Sequence, residues 1–360
     1  RRFGATADQT IEVIGSIYDS AAVELATRGT LTIVSPARYK TYVSHKVDID
    51  QVQIHDPAVD RVFVVGTCLD QNGDLQPNDG VRFPQGREEC HYDGHKFAQH
   101  GSKLAFDLVA RLFRSLDVAI IVLFGLGSIF KPKLDWAYPH LAIEADSGVG
   151  KSTISELLRR LFGWLIFSGD LEFKTSYRAK KLLSNSVLPV QIEECGRVHG
   201  TGRLIMIDLL NQAYNLTPST HGHLDKRFCL VAPAILWGQD FFCEDVALNA
   251  KIIRVRLNAK DKNPDALVAC RTMADVWPMN DWIRHACDWA NGRNLNQLVD
   301  AKAAWLEEQI GPNLLDGVSN AGRLVRNYAI VLMVADAVNA FGVSVNVGDH
   351  IIETIKNHLA

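Results

Sequence analysis

Gly148, Gly150, Lys151, Ser152 and Thr153 stand at a spacing that can hold a polyphosphate, within the stretch 145–153. The glycines let backbone N–H groups turn inward around phosphate oxygens, and a helix beginning there presents its positive end to them. Ser147 and Val149 complete the loop. Lys151 would place an ammonium on the β- and γ-phosphates, and the Ser152 hydroxyl is a ligand for Mg²⁺. Ala145 stands where such loops usually carry their first glycine; that position ends a strand and tolerates a Cβ.

Such a loop works only between a strand and a helix. Residues 140–143 form an apolar run and 154–162 an amphipathic one, so the order is strand, glycine loop, helix. One βα unit later, the apolar run 187–192 ends in Glu193 and Glu194. Hydrolysis of a nucleoside triphosphate needs one carboxylate for Mg²⁺ and one to orient or deprotonate water. By position Glu193 is the metal acid and Glu194 the base, with the two roles open to exchange. ATP and Mg²⁺ are the cofactors this chemistry calls for.

Further polar residues fall at the ends of later elements. Residues 234–238 read as a buried strand whose end, Gln239, could position water beside the γ-phosphate. The strand 252–257 carries Arg254 and Arg256 after Lys251, and any of these cations could reach a neighbouring subunit's phosphates. Between 219 and 232 a glycine-tipped hairpin bears His221, His223, Lys226 and Arg227, a set that suits a nucleic-acid backbone and equally suits an ordinary polar hairpin. A helix over 317–341 holds Arg323 and Arg326 near its start, where cations oppose the helix dipole, so phosphate or a local carboxylate is expected beside them.

The chain has 360 residues, 47% of them hydrophobic, enough for two or three domains with sizeable cores. A net charge of −3 gives no global basic field, so any nucleic-acid contact is local. Seven cysteines without paired spacing fit a reducing compartment, and a cytoplasmic location is expected. Cys68, Cys90, His91, His95 and His100 match no closed zinc site. The longest apolar run, 118–130, falls short of the ~18 residues of a membrane span and reads as a buried core helix, so no membrane association is expected. Beginning at Arg1 without a methionine, the sequence reads as a piece of a longer chain.

Helical spacing at 8–27 and short strands at 30–34, 41–43 and 61–66 predict a small α+β domain over 1–95, loop-rich from 70 onward. Helices over 103–116 and 118–130 precede the nucleotide core, which runs over 96–262. Arg178, Lys180 and Lys181 fall on the exposed side of a helix over 175–184. Residues 203–214 read as a helix whose apolar face is Leu204, Ile207, Leu210 and Ala213. Beyond 262 everything reads as helical, and Trp277, Trp282, Trp289 and Trp305 there are core fillers rather than a base-stacking array.

This succession of phosphate loop, paired acids, basic hairpin, polar-ended strand, cation-bearing strand and helical lid resembles an AAA+ ATPase. Within that class, 175–194 and 236–257 look like the superfamily 3 type helicases and the ATPase domains of phage, plasmid and prophage primase proteins; the likeness covers roughly 100–340. It implies an α/β fold: a P-loop NTPase (AAA+-like) αβα core with a small N-terminal α+β domain and a C-terminal helical lid over 263–360. Residue by residue it implies Lys151 and Ser152 on nucleotide and Mg²⁺, Glu193 and Glu194 as the acidic pair, and Gln239 as first sensor in place of the commoner asparagine. It also implies Lys226 on a DNA-tracking hairpin, Lys251 or Arg254 as the trans finger, and Arg323 or Arg326 as second sensor. The expected assembly is a homo-oligomeric ring such as a hexamer acting on DNA or RNA. The alternative is an ATP-dependent assembly switch that recruits protein partners.

Overall fold

The computed structural model describes residues 66–69, 74–78, 115–135, 137–146, 148–162, 166–168, 173–183, 187–216, 219–221, 226–228, 230–238, 245–258, 279–316 and 318–359. The readings at 8–27, 30–34, 41–43 and 103–114, and the cysteine and histidine positions 90–100, lie outside these residues. A hairpin of β1 (Gly66–Leu69) and β2 (Leu75–Asn78) comes first, paired antiparallel with Thr67 opposite Pro77. The sequence reads this second strand as loop because of its proline; in a two-stranded sheet, a missing N–H costs no ladder bond on the open side.

The centre is a five-stranded sheet: β3 (His140–Ala145), β4 (Ile166–Ser168), β5 (Val190–Glu193), β8 (Ala234–Gly238) and β9 (Ile252–Leu257), every pair parallel. Its spatial order is β4-β5-β8-β3-β9. Strands β6 (Ser219–His221) and β7 (Lys226–Phe228) form a separate antiparallel hairpin. Parallel strands need crossovers, supplied here by α2 (Lys151–Phe162), α3 (Ser176–Leu183), α4 (Gly200–Asn215) and the short α5 (Val246–Asn249).

Strand parity divides the core in two. Leu141, Ile143, Ile235, Trp237, Ile253, Val255 and Leu257 enter one apolar cluster; Ala142, Val190, Ile192, Ala234, Leu236 and Ile252 enter the other, with α3 and α4. The first cluster also takes in α1 (Leu116–Gly127), α2, α6 (Met279–Ala290), α7 (Leu295–Ile310), α9 (Ala321–Ala340) and α10 (Gly348–Leu359). A four-residue helix, α8 (Pro312–Leu315), links α7 to α9. The helices after 279 are therefore a layer of the same core as the sheet.

Close packing sets this layer. A Cβ at Gly127 would collide with Val334, so glycine is what lets α1 and α9 approach. His350 Nε2 meets Asp117 Oδ1 at 2.8 Å, joining α10 to α1, and Trp282 fills the core with its indole N–H on Leu126 O at 3.0 Å. The core-filler reading holds for Trp282 and in part for Trp289, not for Trp305, which is 38% exposed, while Trp277 lies outside the described residues. The hairpin docks here too: Asn291, just beyond α6, accepts from Leu75 N–H at 2.8 Å and donates to Leu75 O at 3.0 Å, as a strand partner would.

Two surface readings change. Helix α4 buries Met206, Leu209, Leu210, Ala213 and Tyr214, while Leu204 is 68% exposed: the buried face is turned from the one read in sequence. Lys180 is buried against α4 rather than solvated. Burial pulls its ammonium below the usual lysine range, and nearby Asp208 opposes that shift.

The amino end of the sheet is sealed by polar contacts. His140 Nδ1 accepts from Ala234 N–H at 3.0 Å, so the proton sits on Nε2, 2.9 Å from Leu210 O. Its pKa is pulled down to about 3, chiefly by burial, with Lys131 and Lys251 adding to the shift against the Leu210 bond. From pH 6.5 down to about 3 the unfolded chain binds a proton that the folded chain refuses, so stability falls on acidification through that window. Urea unfolding at pH 5 should show about 2 kcal/mol less stability from this group than at pH 7. Unchanged stability across that interval would mean that the folded imidazole takes the proton.

Candidate functional site

The loop 146–150 leaves the carboxyl end of β3, which lies between β8 and β9 inside the sheet. Gly148 and Gly150 have φ of +81° and +100°, and a Cβ at either would meet nothing within 4 Å. The demand for glycine is therefore conformational, not spatial. Val149 is buried and pins the loop to the core. Gly150 O opens the helix, accepting from Thr153 N–H at 2.9 Å and Ile154 N–H at 3.1 Å. The N–H groups of Val149 to Ser152 meet no acceptor among the described residues, which leaves them to a bound anion or to water. Lys151 is half-buried and Ser152 exposed at this helix start. Ser147 lies outside the described residues.

The acidic strand reaches this helix through a specific bond. Ser155, fully buried one turn into α2, donates its hydroxyl to Glu193 Oε1 at 3.0 Å. Ser152 and Ser155 are three apart on a helix and share a face, so the Glu193 carboxylate is held on the Ser152 side. Gln191, two residues before Glu193 and on the same side of β5, donates Nε2 to Ser155 O at 3.0 Å and accepts from the Trp237 indole N–H at 2.9 Å. Sequence reading passed over Ser155, Gln191 and Trp237. The available signal was a polar residue at the centre of an otherwise apolar strand.

Glu194 stands in the left-handed region, φ 58° and ψ 31°, which is uncommon for a side chain with a Cβ. It heads a 3-10 turn over Cys195–Arg197, and Arg197 Nη1 pairs with its Oε1 at 3.1 Å. Both side chains are more than a third exposed, so the pair stabilises little and can open. Cys195 is buried, and burial pushes its thiol up to about 12. The Trp237 backbone bond opposes that push, as does Lys151, while Glu193 adds to it. The buried, protonated thiol is inert.

Hydroxyl and carboxylate oxygens suit a hard cation that keeps several waters. Among the described residues no group of three or more His, Cys, Asp or Glu could hold a metal ion, and oxygen donors at and beside the loop are carried by Asp146, Ser152, Glu193 and Glu194.

The remaining cations lie elsewhere. Lys251 precedes β9 at the amino end of the sheet, opposite the loop, and is 5% exposed. Its ammonium donates to Asn211 Oδ1 at 2.6 Å and lies over the Tyr214 ring. Burial lowers its pKa, Arg323 lowers it further, and Asp245 opposes. Lys251 is thus buried and paired within its own chain. Arg254 donates to Asn249 Oδ1 at 2.7 Å, its Nε buried without a partner. Arg326 pairs with Asp300 and donates to Asn296 Oδ1 at 2.8 Å, so the local carboxylate is its partner. Asn327 reaches Ala250 O at 2.9 Å, which fixes the start of α9 at this same amino end. Arg323 and Arg326 thus lie near Tyr214 and Lys251, toward the amino end of the sheet. Of these cations, Arg323 and Arg256 are exposed.

His221 and Lys226 pair across the β6-β7 hairpin and Arg227 lies opposite Thr220; His223 and Gln239 lie outside the described residues.

Glycine relieves a left-handed position by about 1 kcal/mol. Glu194→Gly should therefore unfold at equal or slightly higher temperature than the unaltered protein while losing any hydrolysis that Glu194 supports. A clear drop in thermal midpoint would show that the carboxylate holds the turn together.

No protein-family model matches the chain, and no curated protein matches it. Among solved structures it is similar to one titled "SCCmec type IV Cch - active helicase", with a TM-score of 0.57 at 15% identity over 82% of this chain and 59% of that one. The chain thus spans less than two thirds of that helicase. A second, "The A form apo structure of NrS-1 C terminal region-CTR", has a TM-score of 0.31 at 12% identity over 68% of each chain. No described helix is long and apolar enough to cross a membrane. The chain has a mixed α/β, helicase-like fold.

Proposed function

We propose that this chain is the ATP-hydrolysing core of a nucleic-acid motor, an AAA+-like ring ATPase of the kind used in replication by phages and mobile elements. The observation that carries the reading is the bond from Ser155 Oγ to Glu193 Oε1, which joins the acidic strand end to the first turns after the glycine loop. The helicase-like fold supports it. So does the loop's place inside an open parallel sheet, at the carboxyl ends where such folds bind ligands.

In this reading the N–H groups from Gly148 to Ser152 and the Lys151 ammonium hold the β- and γ-phosphates of ATP. Ser152 and Glu193 would hold Mg²⁺, which neutralises charge on the phosphate oxygens. Glu194, released from Arg197, accepts the proton of the attacking water, and Gln239 orients that water. Lys151 and the loop N–H groups meet the negative charge that grows in the transition state.

A heterologous interface joins two different surfaces and can close into a ring. Such a ring can bring the amino end of one subunit's sheet to the next subunit's loop. Arg323, exposed at that end, then replaces Lys251 and Arg254 as the trans finger. The hairpin bearing His221, His223, Lys226 and Arg227 meets the phosphates of DNA, or of RNA.

Three measurements test this. Lys151→Ala should abolish nucleotide turnover. Arg323→Ala should lower kcat by about 10³-fold, and mixing it with Lys151→Ala subunits should restore part of the rate. The double variant Lys226→Ala with Arg227→Ala should lose stimulation by single-stranded DNA. Hydrolysis indifferent to DNA and RNA, in the unaltered chain and the double variant alike, would leave the assembly-switch reading instead.

A further inference from the structure

A buried polar path runs from the phosphate-loop helix across two strands. Ser155 and Gln191 are both fully buried, and Trp237 is among the largest fully buried side chains. Ser155 Oγ bonds Glu193, Ser155 O accepts from Gln191, and Gln191 accepts from Trp237. Just past the acidic pair, the buried Cys195 thiol donates to Ile192 O at 3.3 Å. A serine within a helix can satisfy its hydroxyl on the carbonyl four residues back. Ser155 instead spends it on a carboxylate of another strand. Its donation occupies Oε1 of Glu193 and leaves Oε2 without a partner among the described residues.

We infer that Ser155 and Gln191 are positioning residues for the metal acid: Ser155 fixes the direction in which Glu193 presents its free oxygen, and Gln191 ties that setting to the end of β8. The inference rests on the proposed reading of Glu193 as a Mg²⁺ ligand. Gln191 has no need to touch nucleotide for this. Its two amide bonds lock α2, β5 and β8 into one register, so a shift at the end of β8 moves Ser155, and a shift of Ser155 turns Glu193. A purely structural amide would only satisfy the Trp237 N–H.

The test uses Mn²⁺ and ADP as probes, with free Mn²⁺ followed by its electron paramagnetic resonance signal. In Ser155→Ala, Mn²⁺ binding in the presence of ADP should weaken ~10-fold, the loss expected when a ligand's outer partner is removed. ADP binding without divalent metal should stay within about twofold, since no phosphate contact changes. Unchanged Mn²⁺ affinity overturns the role of Ser155, as does an equal loss of ADP binding with a lowered thermal midpoint, which marks a structural defect. For Gln191, the indole resonance of Trp237, identified by its absence in Trp237→Phe, should move when Mg²⁺ and ADP are added to the unaltered chain and stay still in Gln191→Leu. A shift of the same size in Gln191→Leu overturns the coupling; should that variant not fold, a Trp237 resonance that also ignores Mg²⁺ in the unaltered chain overturns it. An unaltered chain that binds ADP but no Mn²⁺ removes the metal reading of Glu193 and this inference with it. A chain that binds no ADP removes the nucleotide reading itself.

Discussion

The two-residue period of β5 is the constraint on which the site depends. Val190 and Ile192 point into the layer of α3 and α4, while Gln191 and Glu193 point to α2. A slip of one residue would turn the carboxylate into an apolar cluster and an isoleucine toward the loop helix. Burying an unpaired carboxylate there costs far more than one hydrogen bond returns. The Trp237 indole N–H adds a second lock, because a fully buried donor must find an acceptor and Gln191 is the one it has. Site geometry and strand register are thus set by the same few contacts.

The two ends of the sheet answer opposite needs. At the carboxyl end, loop N–H groups stay open and Glu194 holds a strained backbone position, both poor for stability. Toward the amino end several buried polar groups are matched, although Gln212 Oε1 and Arg254 Nε are not: His140 takes one donor and meets one acceptor, Lys131 Nζ bonds Ala213 O at 3.1 Å, and Lys251 bonds Asn211. Lys131 and Lys251 lie near the carboxyl-terminal turn of α4, where the helix dipole favours positive charge. Tyr328 closes the free edge of β9, its hydroxyl accepting from Arg254 N–H at 3.1 Å and facing Arg254 O at 3.3 Å. The closed end supplies the rigidity that the open end gives up.

This division explains what the sequence could show. The glycine turn between β3 and α2 was legible because its requirements are local: positive φ at Gly148 and Gly150, then a helix start. The order of the sheet strands and of the longer helices between them followed from periodicity and turn signals, while the short α5 did not. Partner choice did not. Lys180 and Lys251 look like solvent-facing cations in sequence, yet tertiary neighbours bury both. The turned face of α4 has the same origin: Leu204 and Met206 fit a helical stripe equally well, and the packing of α4 on β5 and β8 decides between them. Arg323 and Arg326 were read at a helix start without the knowledge of which end of the sheet that start meets.

The helices from α6 onward share one apolar cluster with the sheet. Helix α9 is fixed to the sheet edge by Tyr328, to the amino end by Asn327 and to α1 by the close approach at Gly127. Swinging this layer as a lid would open the apolar cluster it shares with β3, β8 and β9. Movement that answers to the site must then arise where contacts are few and exposed. The Glu194–Arg197 pair meets that description, at the carboxyl edge of β5. Beside it, the Trp237–Gln191 bond ties β8 to β5, and the Trp237 indole N–H cannot let go without being left buried and unpaired.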